Sequence, residues 1–131
     1  MVRKAVCCCG QCAIEVAGEP SINGVCHCGD CKRRTGSAFG WNVYFADAEV
    51  VSIIGEVRDY RLEGHNPQTR SSCATCGSTL FWKSAWLPDH TGLAGGRFAE
   101  PGLPEPTVTV SNHGREPWVE LPGNWATELK L

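Results

Sequence analysis

The sequence predicts a mainly β fold: a single small antiparallel β domain over residues 1–131, with short helical turns and long loops. Three observations predict it. Short runs rich in Val, Ile, Tyr, Phe and Trp recur along the chain, and these residue types suit a pleated, half-buried surface. The 15 glycines and 8 prolines interrupt those runs and leave little room for long helices. Nine cysteines, most of them in three tight clusters, mark points where something besides a hydrophobic core holds the chain together. At 131 residues there is room for one core, within the usual range of about 100 to 200 residues per domain.

The elements follow in order. Arg3 to Cys9 and Ala13 to Val16 read as two strands joined through the turn Cys9-Gly10-Gln11-Cys12, and Ser21 to Cys26 as a third that runs into the second cluster. From Gly29 to Thr35 the polar and basic residues suit one or two helical turns, which Gly36 closes. Ala38 to Phe45, Glu49 to Ile54 and Val57 to Leu62 are separated by Ala46-Asp47-Ala48 and Gly55-Glu56, the pattern of an antiparallel meander. Gly64 to Gln68 is a loop. Thr69 to Cys73 and Thr79 to Lys83 flank the last cluster as a hairpin, and Val108 to Ser111 is a late strand. Trp86 to Pro106, with Pro88, Gly92, Gly95, Gly96 and Pro101, reads as a long connection. Of the tryptophans, Trp41, Trp82 and Trp86 are placed to wall a pocket, although an aromatic residue on a strand, Trp82 above all, is more often core.

Charge and hydropathy exclude several classes. The net charge of −2 and the lack of a long basic block leave no footprint for nucleic acid or an anionic membrane. The basic N-terminus leads straight into cysteines without the apolar stretch of about 7 to 15 residues of a signal peptide, and no segment reaches the roughly 20 apolar residues of a span. The expectation is a cytoplasmic protein, where thiols stay reduced and clustered cysteines read as metal ligands or catalytic groups. The odd cysteine number and the tightness of the clusters speak against a disulfide framework.

The clusters are Cys7-Cys8-Cys9, then Cys26-His27-Cys28-Gly29-Asp30-Cys31, then Cys73-Ala74-Thr75-Cys76-Gly77. Zinc takes four ligands in a closed structural site and three in a reactive one. If the first strand runs through its cysteines, Cys7 and Cys9 share a face and Cys8 points away. Cys73 and Cys76, with Gly77 behind them, form a zinc knuckle that needs two more sulfurs. Cys7 and Cys9 supply them, as would a ribbon-like set using Cys9 and Cys12. Cys26, Cys28 and Cys31 reach one metal ion without a distant ligand, leaving a position open, unless Cys8, Cys12 or a remote histidine closes it. His27 then lies on the opposite face as a packed, hydrogen-bonding histidine.

Taken together, the order Cys7-Cys8-Cys9-Gly10, then Cys26-His27-Cys28-Gly29-Asp30-Cys31-Lys32-Arg33-Arg34-Thr35-Gly36-Ser37, then Cys73-Ala74-Thr75-Cys76-Gly77-Ser78-Thr79-Leu80 resembles the glutathione-dependent formaldehyde-activating enzyme family, to which centromere protein V is related. With Gly95 and Trp118 the resemblance spans nearly the whole chain. It implies a β-rich fold and two zinc ions: a structural one on Cys7, Cys9, Cys73 and Cys76, and a catalytic one on Cys26, Cys28 and Cys31. It also implies a carbon–sulfur lyase that adds a thiol, glutathione or a similar one, reversibly to formaldehyde or another small aldehyde. Two departures are visible: Cys12 stands where the family tends to have an apolar residue, and no histidine occurs at Thr107 to Thr109. The carboxylates of glutathione need cations, and Lys32, Arg33 and Arg34 are the nearest, with Arg97 further off. Other readings of the same cysteines are a non-catalytic zinc-stabilised interaction module, or a redox or metal-buffering protein using Cys8 and Cys12. The sequence leaves the oligomeric state open.

Overall fold

The computed structural model describes residues 1–100 and 102–129; residue 101 of the predicted long connection and residues 130 and 131 of the predicted domain lie outside them. Two sheets carry the fold, which is mainly β. Strands β1 (Val2–Val6), β2 (Ala13–Ala17) and β5 (Val50–Ile54) make a three-stranded sheet in the order β1-β2-β5. Strands β3 (Ile22–Cys26), β4 (Gly40–Ala46), β6 (Val57–Leu62), β7 (Gln68–Cys73), β8 (Thr79–Ser84), β9 (His90–Ala94) and β10 (Val108–Val110) make a seven-stranded sheet in the order β10-β3-β4-β9-β8-β7-β6. Helix α1 (Gly29–Thr35) follows β3 and ends where Gly36 turns left-handed and its N–H reaches the Lys32 carbonyl. No helix is long and apolar enough to cross a membrane among the described residues.

The core lies where the two sheets face each other. Ala5, Ile14 and Val16 from the small sheet pack with Val43, Phe45, Leu93 and Phe98 from the large sheet and the turn after it, all of them buried. Period-2 alternation puts Ile14 and Val16, and likewise Val43 and Phe45, on one face of their strands. A second, smaller cluster of Cys7, Cys12, Cys73 and Leu80 closes one end of the molecule.

The structure departs from the sequence reading in four places. The strands β4, β5 and β6 are not a meander: β4 pairs with β3 and β9, β5 with β2, and β6 with β7. A 3-10 turn at Asp47–Glu49 carries the chain from one sheet to the other, and β-rich residues report strand character without naming the partner. Inside the predicted long connection, His90–Ala94 forms β9, a central strand between β4 and β8. Its Gly92 weakens the sequence signal, yet a Cβ there would drive into the indole of Trp82. The sheets are not wholly antiparallel, because β10 runs parallel to β3. Finally, β1 ends at Val6, so Cys7 to Cys9 lie in a turn and strand alternation is not what aligns them.

Two candidate metal centres and an adjoining cavity

The turn after β1 and the turn between β7 and β8 bring Cys7, Cys9, Cys73 and Cys76 together, their sulfurs all within 4.8 Å of one another. Each turn is a knuckle. Gly10 and Gly77 adopt positive φ of 82° and 77°, and their N–H groups return to the carbonyls of Cys7 and Cys73. Backbone N–H groups then point at sulfur: Cys12 N donates to Cys7 Sγ at 3.2 Å, Thr75 N and Cys76 N to Cys73 Sγ at 3.4 and 3.5 Å. The sulfurs of Cys7 and Cys9 are 3.6 Å apart and those of Cys9 and Cys73 3.7 Å. A disulfide needs about 2.05 Å. Four sulfurs at a Zn–S distance of about 2.3 Å around a tetrahedral ion sit about 3.8 Å from each other, so the donor set fits zinc. The Ser78 hydroxyl, then the Ser78 and Cys9 amides, hold the Cys76 thiol down at about 5. Cys9 is lowered by the Gln11 amide, but burial and the sulfurs of Cys7, Cys73 and Cys76 together push it up to about 12. Protons shared among four crowded sulfurs are what a divalent cation displaces.

The second group is built at the end of β3. Cys26 closes the strand, Cys28 is the N-cap of α1, and Cys31 lies one turn into the helix; their sulfurs are also within 4.8 Å of one another. The Cys28 sulfur accepts from the Cys31 N–H at 3.4 Å, and the Cys31 sulfur accepts from Asn42 Nδ2 at 3.3 Å. Contacts from the Cys26 and Cys31 thiols hold Cys28 down at about 2, and the contacts with Cys26 and Cys28, with burial, push Cys31 far up. Among the described residues no fourth Cys, His, Asp or Glu joins these three. The group therefore offers a cation three sulfurs and an open side.

That open side faces a cavity of about 450 Å³. Three guanidiniums border it: Arg33 and Arg34 from α1 and Arg70 from β7. Among the described residues none of the three has a carboxylate partner. Arg34 stacks on the buried indole of Trp82, 4.4 Å from the ring centre, and donates to Asn42 Oδ1. Burial, and then the neighbouring charge of Arg70, lower its pKa from the ordinary guanidinium value, while the Cys31 sulfur opposes them. Gly40 makes this approach possible, since a Cβ there would meet Arg34 Nη2 at 2.6 Å and Cys31 Cβ at 3.2 Å.

The profile described as Glutathione-dependent formaldehyde-activating enzyme matches residues 2–113. The chain belongs to this family. A comparison with curated proteins gave no match. Among solved structures, the chain is similar to the crystal structure of a Rhodobacter sphaeroides protein from structural genomics, with a TM-score of 0.57 and 20% identity over 77% of this chain and 91% of that one. At that identity the likeness concerns the fold alone.

In this member of the formaldehyde-activating family, Cys12 packs beside the four-sulfur group without being one of the four. It is buried, its thiol donates to the Glu56 carbonyl at 3.1 Å, and burial followed by contact with Cys73 pushes it up to about 11. Cys8 is exposed and its sulfur meets Arg97 Nη1 at 3.5 Å; neither residue lines the cavity of the three-sulfur group. His27 is buried, packs on Phe39 and pairs through Nε2 with Thr109 Oγ1 at 2.9 Å. The Thr109 hydroxyl donates to Asn112 Oδ1, so it accepts from His27 and the ring carries its proton on Nε2. Lys32 points elsewhere: its Nζ donates to the Gly114 carbonyl at 2.6 Å and to Glu116 at 2.7 Å. Trp82 and Trp86 line the cavity, Trp82 as core and wall at once, whereas Trp41 does not. Sequence reasoning missed Asn42 and Arg70. Arg70 pairs in register with Trp82, and an arginine inside a strand opposite a tryptophan is the one signal that pointed to it.

Proposed function

We propose that the chain is a zinc-dependent carbon–sulfur lyase that adds a thiol such as glutathione reversibly to formaldehyde or another small aldehyde, giving an S-hydroxymethyl thiol. One observation carries this reading: three sulfurs with an open side and three guanidiniums that have no carboxylate partner among the described residues share a single cavity. In the addition the C–S bond forms as the carbonyl π bond opens, and the thiol proton ends on the new hydroxyl, with nothing oxidised or reduced. Zinc on Cys26, Cys28 and Cys31 would supply a thiolate at neutral pH and a Lewis acid for the carbonyl oxygen. The chain's own part is positioning. Arg33 and Arg34, joined by Arg70, receive the carboxylates of the thiol; Asn42 fixes Arg34 and Cys31 in one geometry; and Lys32 ties α1 to the 114–116 segment beside the site. Cys7, Cys9, Cys73 and Cys76 would hold a structural zinc, and a reducing compartment such as the cytoplasm suits both sets of thiols.

Cobalt substitution tests this directly, because thiolate-to-cobalt bands report each added sulfur. Glutathione at millimolar concentration is expected to change the bands of the middle site, and charge reversal at Arg34 to weaken that response. An unchanged spectrum would overturn the reading.

A further inference from the structure

The cavity is more apolar than a tripeptide thiol and formaldehyde require. Its 450 Å³ lie in the range of drug-sized ligand sites, room for the thiol together with an aldehyde. Its apolar lining includes Ile22, Val25, Val108, Leu87 and the indole of Trp86, interrupted by polar groups such as Asp30, Gln68 and Ser111. A tripeptide thiol, polar along its backbone, gains little from such a surface, and an apolar wall left wet gains nothing.

Trp86 is the most telling of these groups. It is 56% exposed, yet it is held in place. Its backbone N–H donates to Ser84 Oγ at 3.1 Å, the Ser84 hydroxyl donates to Asn66 Oδ1 at 2.7 Å, and the Leu87 N–H reaches the Ser84 carbonyl at 3.2 Å. The ring of His65 meets the indole edge-on, 4.9 Å between centroids. Two loops are thereby tied together around an exposed aromatic at the mouth of the cavity. Trp118 is 73% exposed and lies outside it. A preordered indole in the wall of a cavity that also holds the three sulfurs is a surface for an apolar group of the ligand.

We propose that the aldehyde taken by this site carries an apolar substituent, aromatic or branched aliphatic, which lies on Trp86 and Leu87 while the carboxylates of the thiol lie at Arg34 and Arg70. This rests on the thiol–aldehyde reading above. The adduct of such an aldehyde bears its hydroxyl and its apolar arm on the same carbon, so the arm stays beside the sulfur and S-substituted glutathiones are stable mimics of it.

The test is calorimetric titration of the zinc-replete protein with S-methyl-, S-hexyl- and S-benzylglutathione. The hexyl and benzyl compounds are expected to bind about tenfold or more tightly than the methyl compound. Trp86→Ala should bring that preference to within about twofold, and Trp118→Ala should leave it in place. Equal affinities for the three compounds, or a preference that survives Trp86→Ala unchanged, overturn this inference and leave the glutathione reading standing. Failure of all three and of glutathione itself to bind overturns the glutathione reading, and the inference falls with it.

Discussion

At the scale of single residues, Asn42 joins the two halves of the candidate site. Its side chain is buried, donates to Cys31 Sγ and accepts from Arg34, so one amide orients both a sulfur and a cation. Groups that hold metal ligands from behind typically change affinity by about 10- to 100-fold when removed. Asn42→Leu is therefore expected to weaken metal binding at the middle site by that order, with the four-sulfur site unaffected; competition against a chromophoric chelator measures it, and equal affinity in variant and wild type would assign Asn42 to packing alone. Cys26, Cys28 and Cys31 and the Cys73–Cys76 knuckle were legible in the sequence because short spacing constrains geometry whatever the fold, whereas joining Cys7 and Cys9 to that knuckle rested on the family resemblance. Asn42 and Arg70 were not legible, since each reaches the site through strand pairing that no local pattern encodes.

Elements decide which cysteines are structural. The two knuckles belong to different sheets, one following β1 and the other joining β7 to β8, so a metal ion on the four sulfurs would fasten the sheets at one end. The three-sulfur centre involves only the end of β3 and the start of α1. Cys76→Ser is expected to lower the melting temperature severely, while Cys28→Ser, which keeps an oxygen able to cap α1, removes middle-site metal with the fold largely retained. Thermal scans with metal analysis separate the two, and equal losses of melting temperature would make both centres structural.

The corner after β4 permits another check. Asp47 accepts from Lys83 Nζ at 2.6 Å and from Thr91 Oγ1 at 2.8 Å, and Lys83 first, then Thr91, hold its carboxyl below the ordinary range against partial burial. A depressed carboxyl contributes stability above its unfolded pKa, near 3.9, and loses it as pH falls through the lowered value. Asp47→Asn should then lower stability by about 0.5 to 1 kcal/mol, small because the pair is half exposed, and by the same amount at pH 6 and pH 8. A difference that vanishes at either pH would contradict this. Sequence patterns found nearly all the strands and the break at Asp47, but the change of sheet at that corner and the glycine-bearing β9 escaped them. Both are set by contacts with distant parts of the chain: Asp47 with Lys83 and Thr91, Gly92 with Trp82.

For the whole molecule, the asymmetry between four sulfurs and three becomes a difference in exchange. The closed group leaves no side for a competing ligand, and the open one faces a cavity. A mild chelator added to the zinc-replete protein is expected to remove one equivalent quickly and the second only on unfolding, the first from Cys26, Cys28 and Cys31. Mass spectrometry under native conditions follows both steps, and simultaneous release of two equivalents would show the centres to be equally accessible.

The placement of the four-sulfur group also bears on how the chain finds its fold. Cys9 and Cys73 are separated by more than sixty residues, whereas Cys26 and Cys31 lie within one short segment. Treated as a cross-link of the disordered chain, the first closure removes about 4 kcal/mol of loop entropy and the second about 2. The knuckle ion thus shrinks the search that the chain must make before distant strands can meet, and refolding without metal should be slowed far more by its absence than by that of the other.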